Sequence, residues 1–521
     1  MRMLRLKPPR WHALIAATIL IASAIFRLAF IPDARLAGDE ATQYATAKHV
    51  AELKYFPVKG VSMTGDKAMT PGGLYHLVMS VPFFFTSNPM GAGVYLVILN
   101  LLGLALGYAV FRREFGTFAA LMVLLLSAFN PFSVFFSDRQ WNPNLLVPLG
   151  FLWIWLLLGA LRGEGRFRWG WLAALLVVSP QIHMSCPHLT LMTLVMMACW
   201  RPRVRWGHVA AGIGIGVSTY LPYFVVDWMD GWANTSRIIN QIASAASPWY
   251  EAFRAGYYQV LYAAGDFTYF LGKGFWFPMT EWGFLAQGGS EKYATLLGLP
   301  SAVGLVSLAL VAAALIVALA AHGWMVVATI GDWRRGFVRS VRDNPLWTLT
   351  LLNLPVLVGL LLKTGKAFYP HYSMVLFGLA MVPVAMIVRR LNPPARVPGV
   401  AALVTVILSV CIASNQAVLT ARYYRTQESA ASVFLMKEAS RLILQDAGVS
   451  SFSVVVDMPR TRIGTYPMSV IAREYHHAPW RETRDTRLLY VLAPAGSRHE
   501  KDAVRIWDID GKRLIRKMKN P

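Results

Sequence analysis

The chain has 521 residues, of which 56% are hydrophobic and only 15% charged, with a formal net charge of +23. Soluble domains carry about a quarter charged residues, so the composition excludes an ordinary soluble globular protein. The basic excess does not describe a nucleic-acid binder either. It falls in short clusters between apolar runs (Arg112-Arg113, 162–168, 201–205, 334–342, Arg389-Arg390), with no basic stripe interleaved with aromatics.

Apolar runs of about 18 residues predict membrane-spanning helices, and the arginine clusters orient them by marking the cytoplasmic side. Arg2, Arg5, Lys7 and Arg10 precede the first run, 11–31. That run is longer than a signal-peptide core and no small-residue cleavage site follows it, so it reads as an uncleaved first helix. Further spans are expected near 93–111, 117–135, 144–161, 169–184, 186–200, 207–226, 297–329, 345–362, 371–388 and 398–416. The expected fold is an all-α polytopic membrane protein of about eleven transmembrane helices, with its N-terminus inside and its C-terminus outside.

The apolar stretch 72–86 is short, and counting it as a span would place Arg112-Arg113 outside; it is read as an interfacial or re-entrant piece. Two external loops result, near 32–92 and 227–296. The second is rich in aromatics such as Trp228, Trp232, Trp249 and Trp282, which anchor segments at a membrane surface. After the transmembrane module of 1–416, residues 417–521 read as a small extramembrane α/β domain. A helix is expected over 428–445 and strands at 452–457, 487–492, 504–509 and 513–518, the last two joined by an Asp510-Gly511 turn. The three cysteines have neither metal-ligand nor disulfide spacing.

The residues that bear chemistry lie at one face of these spans. Gly38-Asp39-Glu40 opens a predicted helix, 39–54, just after the first span. An acid there can cap the helix and complement its dipole, but a cap needs only one, and Gly38 would allow close backbone approach. A carboxylate at the membrane surface reaches both a lipid headgroup and a water-soluble molecule. Asp66-Lys67 lies later in the same loop, where the alternative is a solvated pair. In the external turn Ser137-Asp138-Arg139-Gln140, the guanidinium of Arg139 suits a phosphate; the alternative is an ion pair with Asp138. Lys363 and Lys366, ahead of Tyr369 and His371, run against the positive-inside trend and are candidates for anion binding, or else snorkel to lipid phosphates. His183 and His188 flank another external turn, as metal ligands or as hydrogen-bonded helix partners.

The order of these features resembles the GT-C fold glycosyltransferases, nearest to the family-39-like branch of protein O-mannosyltransferases, aminoarabinose transferases and lipopolysaccharide galacturonosyltransferases. Asp39-Glu40, Asp66-Lys67…Pro71…Leu74-Tyr75, Arg112-Arg113-Glu114-Phe115-Gly116 and Lys366…Tyr369…His371-Tyr372 carry the resemblance, over roughly residues 10–390. It implies a polyprenyl-phosphate-linked sugar donor and Asp39 as general base. The implied substrate-binding residues are Glu40, Tyr44, Asp66, Lys67, Arg139, Lys363, Lys366, Tyr369 and His371, with a divalent metal at Asp66. Here Asp66-Lys67 is followed by Ala-Met-Thr-Pro, where many relatives have Glu-Lys-Pro-Pro or His-Pro-Pro.

The implied acceptor is an envelope lipid, glycan or protein, and the implied setting is a bacterial inner membrane with the site facing the periplasm. A lipid or glycan transporter is the rival from another class, and would place ionisable residues at mid-membrane depth. A glycan polymerase or ligase using a diphosphate-linked donor is the nearer rival.

Overall fold

The computed structural model describes residues 11–63, 68–243, 250–265, 300–361, 370–391, 399–426, 432–457, 465–483, 486, 488–510 and 512–518. The first helix, α1 (Trp11–Ala29), is followed by a turn and by α2 (Gly38–Ala51). A two-stranded hairpin, β1 (Lys59–Ser62) and β2 (Met69–Pro71), leads into α3 (Leu74–Ser80) with its 3-10 extension Val81–Phe84. The bundle continues through α4 (Met90–Phe115), α5 (Thr117–Phe129), α6 (Pro131–Phe135), α7 (Leu146–Leu161), α8 (Arg168–Val178) and α9 (Pro187–Trp200). Next come α10 (Trp206–Ser218), α11 (Leu221–Met229), α12 (Ala233–Ala243), α13 (Tyr250–Ala264), α14 (Ser301–Asp343) and α15 (Pro345–Leu361). The short α16 (Phe377–Ala380), α17 (Val382–Leu391) and the long α18 (Val400–Thr426) complete it.

Six described helical stretches are long and apolar enough to cross a membrane: 11–29, 90–115, 142–161, 302–343, 374–391 and 400–425. The pair α10 and α11, bent by 48° at its break, makes a seventh if it counts as one span. The expected count of eleven is thus not confirmed among the described residues. The regions 117–135, 169–184 and 186–200 break into helices of 13, 11 and 14 residues. At 1.5 Å per residue these reach only about 16–21 Å, against a hydrocarbon core of about 30 Å. Asn130-Pro131 ends α5, since a proline cannot continue the backbone ladder and Asn130 caps α6 by accepting from the Phe132 amide. The stretch Leu74–Phe84 is likewise too short to cross.

Burial separates the centre of the bundle from its rim. The 142–161 stretch is 83% buried, with Trp153 wholly enclosed and its indole donating to Thr193 Oγ1. The first helix is only 17% buried and presents Leu14, Ile21 and Ile25 outward, as a lipid-facing helix must. The helix α14 spans 43 residues with a break at Gly336, whose φ of 148° suits glycine alone.

The C-terminal residues form a four-stranded sheet of order β3 (Ser453–Val456), β4 (Leu488–Pro494), β6 (Lys512–Met518), β5 (Arg505–Ile509). The pair β3–β4 is parallel and the other two pairs antiparallel. Two helices accompany the sheet: α19 (Val433–Ala447), close to expectation, and α20 (Tyr466–Glu474), which the sequence reading did not contain. This unit sits on the start of the chain. The amides of Val433 and Phe434 donate to the carbonyls of Ala34 (2.9 Å) and Pro32 (3.1 Å), and α20 packs along α2.

Candidate active site

The two adjacent acids of α2 have different surroundings. Glu40 is buried and turns back over the helix start, where its Oε2 accepts from the Ala37 amide at 3.1 Å. It is thus the carboxylate that satisfies a free N-terminal donor. Burial pushes its pKa up, and the nearby guanidiniums of Arg139 and Arg35 oppose that. Asp39 is exposed and has no hydrogen bond or ion pair among the described residues. A Cβ at Gly38 would meet no protein atom within 4 Å, so packing inside the protein does not require glycine there.

Helical spacing sorts the rest of α2. Asp39 and Thr42 are exposed and Thr46 and His49 half-exposed, so these four form one accessible stripe. Tyr44 lies on the buried side, its hydroxyl donating to the Ser87 carbonyl at 2.7 Å and its ring edge-on to Phe83. Gln43, also buried, accepts from Tyr75 at 2.6 Å, and its carbonyl accepts from Gln140 at 2.8 Å. The 137–141 turn is therefore fastened directly to α2.

That turn carries Arg139, whose Nε lies 3.1 Å from Asp138 and whose guanidinium stands over Phe135. The ion pair weighed from sequence is present, and Arg139 also contributes to the field at Glu40. Asp138 is buried and accepts in addition from the Tyr424 hydroxyl. The Tyr424 ring is sandwiched between Phe30 and Phe135, with centroids 5.1 and 4.9 Å away. The turn can press against α4 only because residue 93 is glycine: a Cβ there would lie 2.5 Å from the Asp138 carbonyl oxygen.

Sequence reasoning missed Arg27, inside the last turn of α1 and fully buried. Its guanidinium donates to the hydroxyls of Ser23, Ser133 and Ser137 and to the carbonyls of Ala128 and Ser133. The signal was available, since an arginine within an apolar run must face the protein and find acceptors. It locks α1 to the α5–α6 junction beneath the 137–141 turn.

His371 packs against Trp141, with centroids 5.0 Å apart, and lies 6.1 Å from the His183 ring. His183 Nδ1 is 2.8 Å from Ser185 Oγ, and His188 Nδ1 lies against the Ser185 carbonyl. The histidines thus serve as hydrogen-bonded partners of the turn, and no three metal-ligating side chains come together among the described residues. Asp66, Lys67, Lys363, Lys366 and Tyr369 lie outside the described residues. The hairpin that leads to 64–67 is held at its base, where Asn234 exchanges two hydrogen bonds with the backbone of Met69. The Arg112-Arg113-Glu114 run sits at the far end of α4, where Arg162 grips Glu114 through two bonds of 2.6 and 2.7 Å. It fastens the opposite end of the bundle and contributes nothing to the acidic site.

A polytopic helical bundle with a small sheet domain against the start of α2 is a fold of the GT-C type, and Asp39 stands on it without a partner among the described residues. The chain is similar over its whole length to one solved member of that fold, the aminoarabinose transferase ArnT from Cupriavidus metallidurans bound to undecaprenyl phosphate. The match has a TM-score of 0.50 at 12% identity and covers 99% of this chain and 100% of ArnT. The apo state of the same ArnT matches with a TM-score of 0.49 at 10% identity, over 98% and 99% of the two chains. No family model and no curated protein sequence matches the chain. The fold is thus shared with a membrane glycosyltransferase although the sequences have diverged widely.

Proposed function

We propose that the protein transfers a sugar from a polyprenyl-phosphate-linked donor to a hydroxyl of an envelope lipid, glycan or protein, at the periplasmic face of a bacterial inner membrane. The observation that carries this reading is the free carboxylate of Asp39, at the exit of the first helix of a fold shared over its full length with an undecaprenyl-phosphate-bound transferase.

The chemistry follows from the charges on that face. The acceptor oxygen attacks the anomeric carbon while Asp39 takes its proton. The bond from that carbon to the phosphate oxygen breaks, the electron pair leaves with the polyprenyl phosphate, and a single displacement inverts the anomeric centre. Arg139, Lys67, Lys363 and Lys366 are proposed to stabilise the charge gathering on the departing phosphate. Glu40, engaged with the Ala37 amide, holds the helix start and thereby the direction of Asp39. A divalent ion at Asp66 would add to this neutralisation; among the described residues no set of ligands awaits it, and no step depends on it.

Transport predicts charges at mid-membrane depth. The buried charge found in α1, Arg27, lies in the last turn of that helix and is saturated by hydroxyls and carbonyls, as a structural lock would be.

The test is mass spectrometry of envelope lipids and glycans from three strains: a deletion, the wild type restored, and Asp39→Asn restored to equal protein level. A glycoform that vanishes on deletion, returns with the wild type and stays absent with Asp39→Asn is the expected result. Full restoration by Asp39→Asn removes Asp39 as the base, and an unchanged envelope in all strains favours transport.

A further inference from the structure

The transferase reading leaves the C-terminal domain without a task, yet that domain brackets Asp39 from both sides. Upstream, Ser432 bridges to Arg35, and the amides of Val433 and Phe434 bind the carbonyls of Ala34 and Pro32. Downstream, α20 runs along the accessible stripe of α2. The hydroxyl of Tyr466, in its first turn, lies 3.2 Å from Thr42 Oγ1. At its other end Glu474 meets His49 Nε2 at 3.0 Å and Lys48 Nζ at 3.4 Å. Position 466 matches 42 and position 474 matches 49, so the two helices run parallel, the first turn of α20 beside the second turn of α2. Asp39 stands one turn before Thr42 on the same stripe, and Thr42 is the residue that Tyr466 meets.

We propose that Tyr466 forms the acceptor-side wall of the active site and positions the hydroxylated head of the acceptor over Asp39. This rests on the transferase reading. Tyr466 is 45% exposed, so part of the residue is open to a ligand. The groups around it are hydroxyls, Thr42 and Tyr466 itself. The nearby ammonium of Lys48 is occupied by Glu474, which His49 Nε2 also meets. The wall therefore suits an uncharged polyhydroxylated head, which offers C–H faces to a ring and hydroxyls to hydroxyls, and not a phosphate. The donor phosphate belongs on the other side, at Arg139.

The experiment separates the two substrates. Restored strains carrying Tyr466→Ala, Tyr466→Phe and Glu474→Gln are scored for the glycoform. The purified full-length proteins are scored for binding of undecaprenyl phosphate by native mass spectrometry. Tyr466→Ala is expected to lower the glycoform about tenfold, the loss of one aromatic contact expressed as a ratio, while binding undecaprenyl phosphate as the wild type does. Tyr466→Phe keeps the ring and is expected to restore the glycoform within about twofold, since one exposed hydroxyl contact is weak. Glu474→Gln, which loosens docking only, should do the same. The proposal is overturned if Tyr466→Ala restores the glycoform fully, if it loses undecaprenyl phosphate binding, or if Glu474→Gln is as damaging as Tyr466→Ala. Full restoration by Asp39→Asn would instead overturn the mechanism on which the proposal rests.

Discussion

The hydroxyl of Tyr424 offers the sharpest test of how the site is supported. Removing it in Tyr424→Phe leaves the ring between Phe30 and Phe135 and deletes one donor to the buried carboxylate of Asp138. A hydrogen bond to a charged group contributes about 1.5–3 kcal/mol, and burial of both partners favours the upper half of that range. The partners are 286 residues apart in sequence, so the bond also ties α18 to the Arg139 turn. The assay is a double-mutant cycle with Asp138→Ala, which removes the acceptor, unfolding the purified protein reversibly in mixed micelles by titration with dodecyl sulfate. A coupling of about 1.5–3 kcal/mol is expected. A value under about 0.5 kcal/mol, the usual scatter of independent sites, would refute the reasoning.

Two further outcomes are expected. Gly93→Ala places a methyl group 2.5 Å from the Asp138 carbonyl and 3.1 Å from Ile31 Cγ2. The turn must retreat, at a cost of about 1–3 kcal/mol, and weaker binding of undecaprenyl phosphate should accompany the lowered melting point if Arg139 holds the phosphate. Glu40→Gln tests burial by its pH dependence. Burial raises the folded pKa above the ordinary 4.5, so the unfolded chain releases its proton first. Stability is then lost as pH climbs from 4.5 through the folded pKa, and the penalty is complete above it. Glutamine does not ionise and still accepts from Ala37. The melting point of the variant should draw ahead of the wild type as pH rises from below 4.5 to neutrality, whereas a constant gap across that range contradicts the burial argument.

Features set by local chemistry were legible in the sequence. The membrane class followed from long apolar runs, the start of α2 from its acids, and the tail strands from their β-branched residues. What escaped depended on distant partners. The breaks that shorten 117–135 and 169–184 come from Asn130-Pro131 and Ser179-Pro180, whose effect on span length hydropathy averages away. The helix α20 is nine residues long and packs between α19 and α2, and its buried Met468, Val470 and Ile471 make a stripe too brief to stand out as periodic. Glu40 and Asp39 look equivalent as text. Only the turn of the chain at Ala37 buries one and frees the other.

The packing of α20 on α2 constrains the whole chain through parity. Two elements in contact outside the bilayer lie on one side of it, so the chain must cross the membrane an even number of times between residues 51 and 433. Among the described residues, five of the six long apolar stretches fall in that interval, an odd number, so at least one further segment there must cross; the bent pair α10–α11 is one candidate and α15 another. The sheet domain thus acts as a checksum on the membrane topology: a reporter fused beyond residue 518 must read the same compartment as one placed in the turn ahead of Asp39.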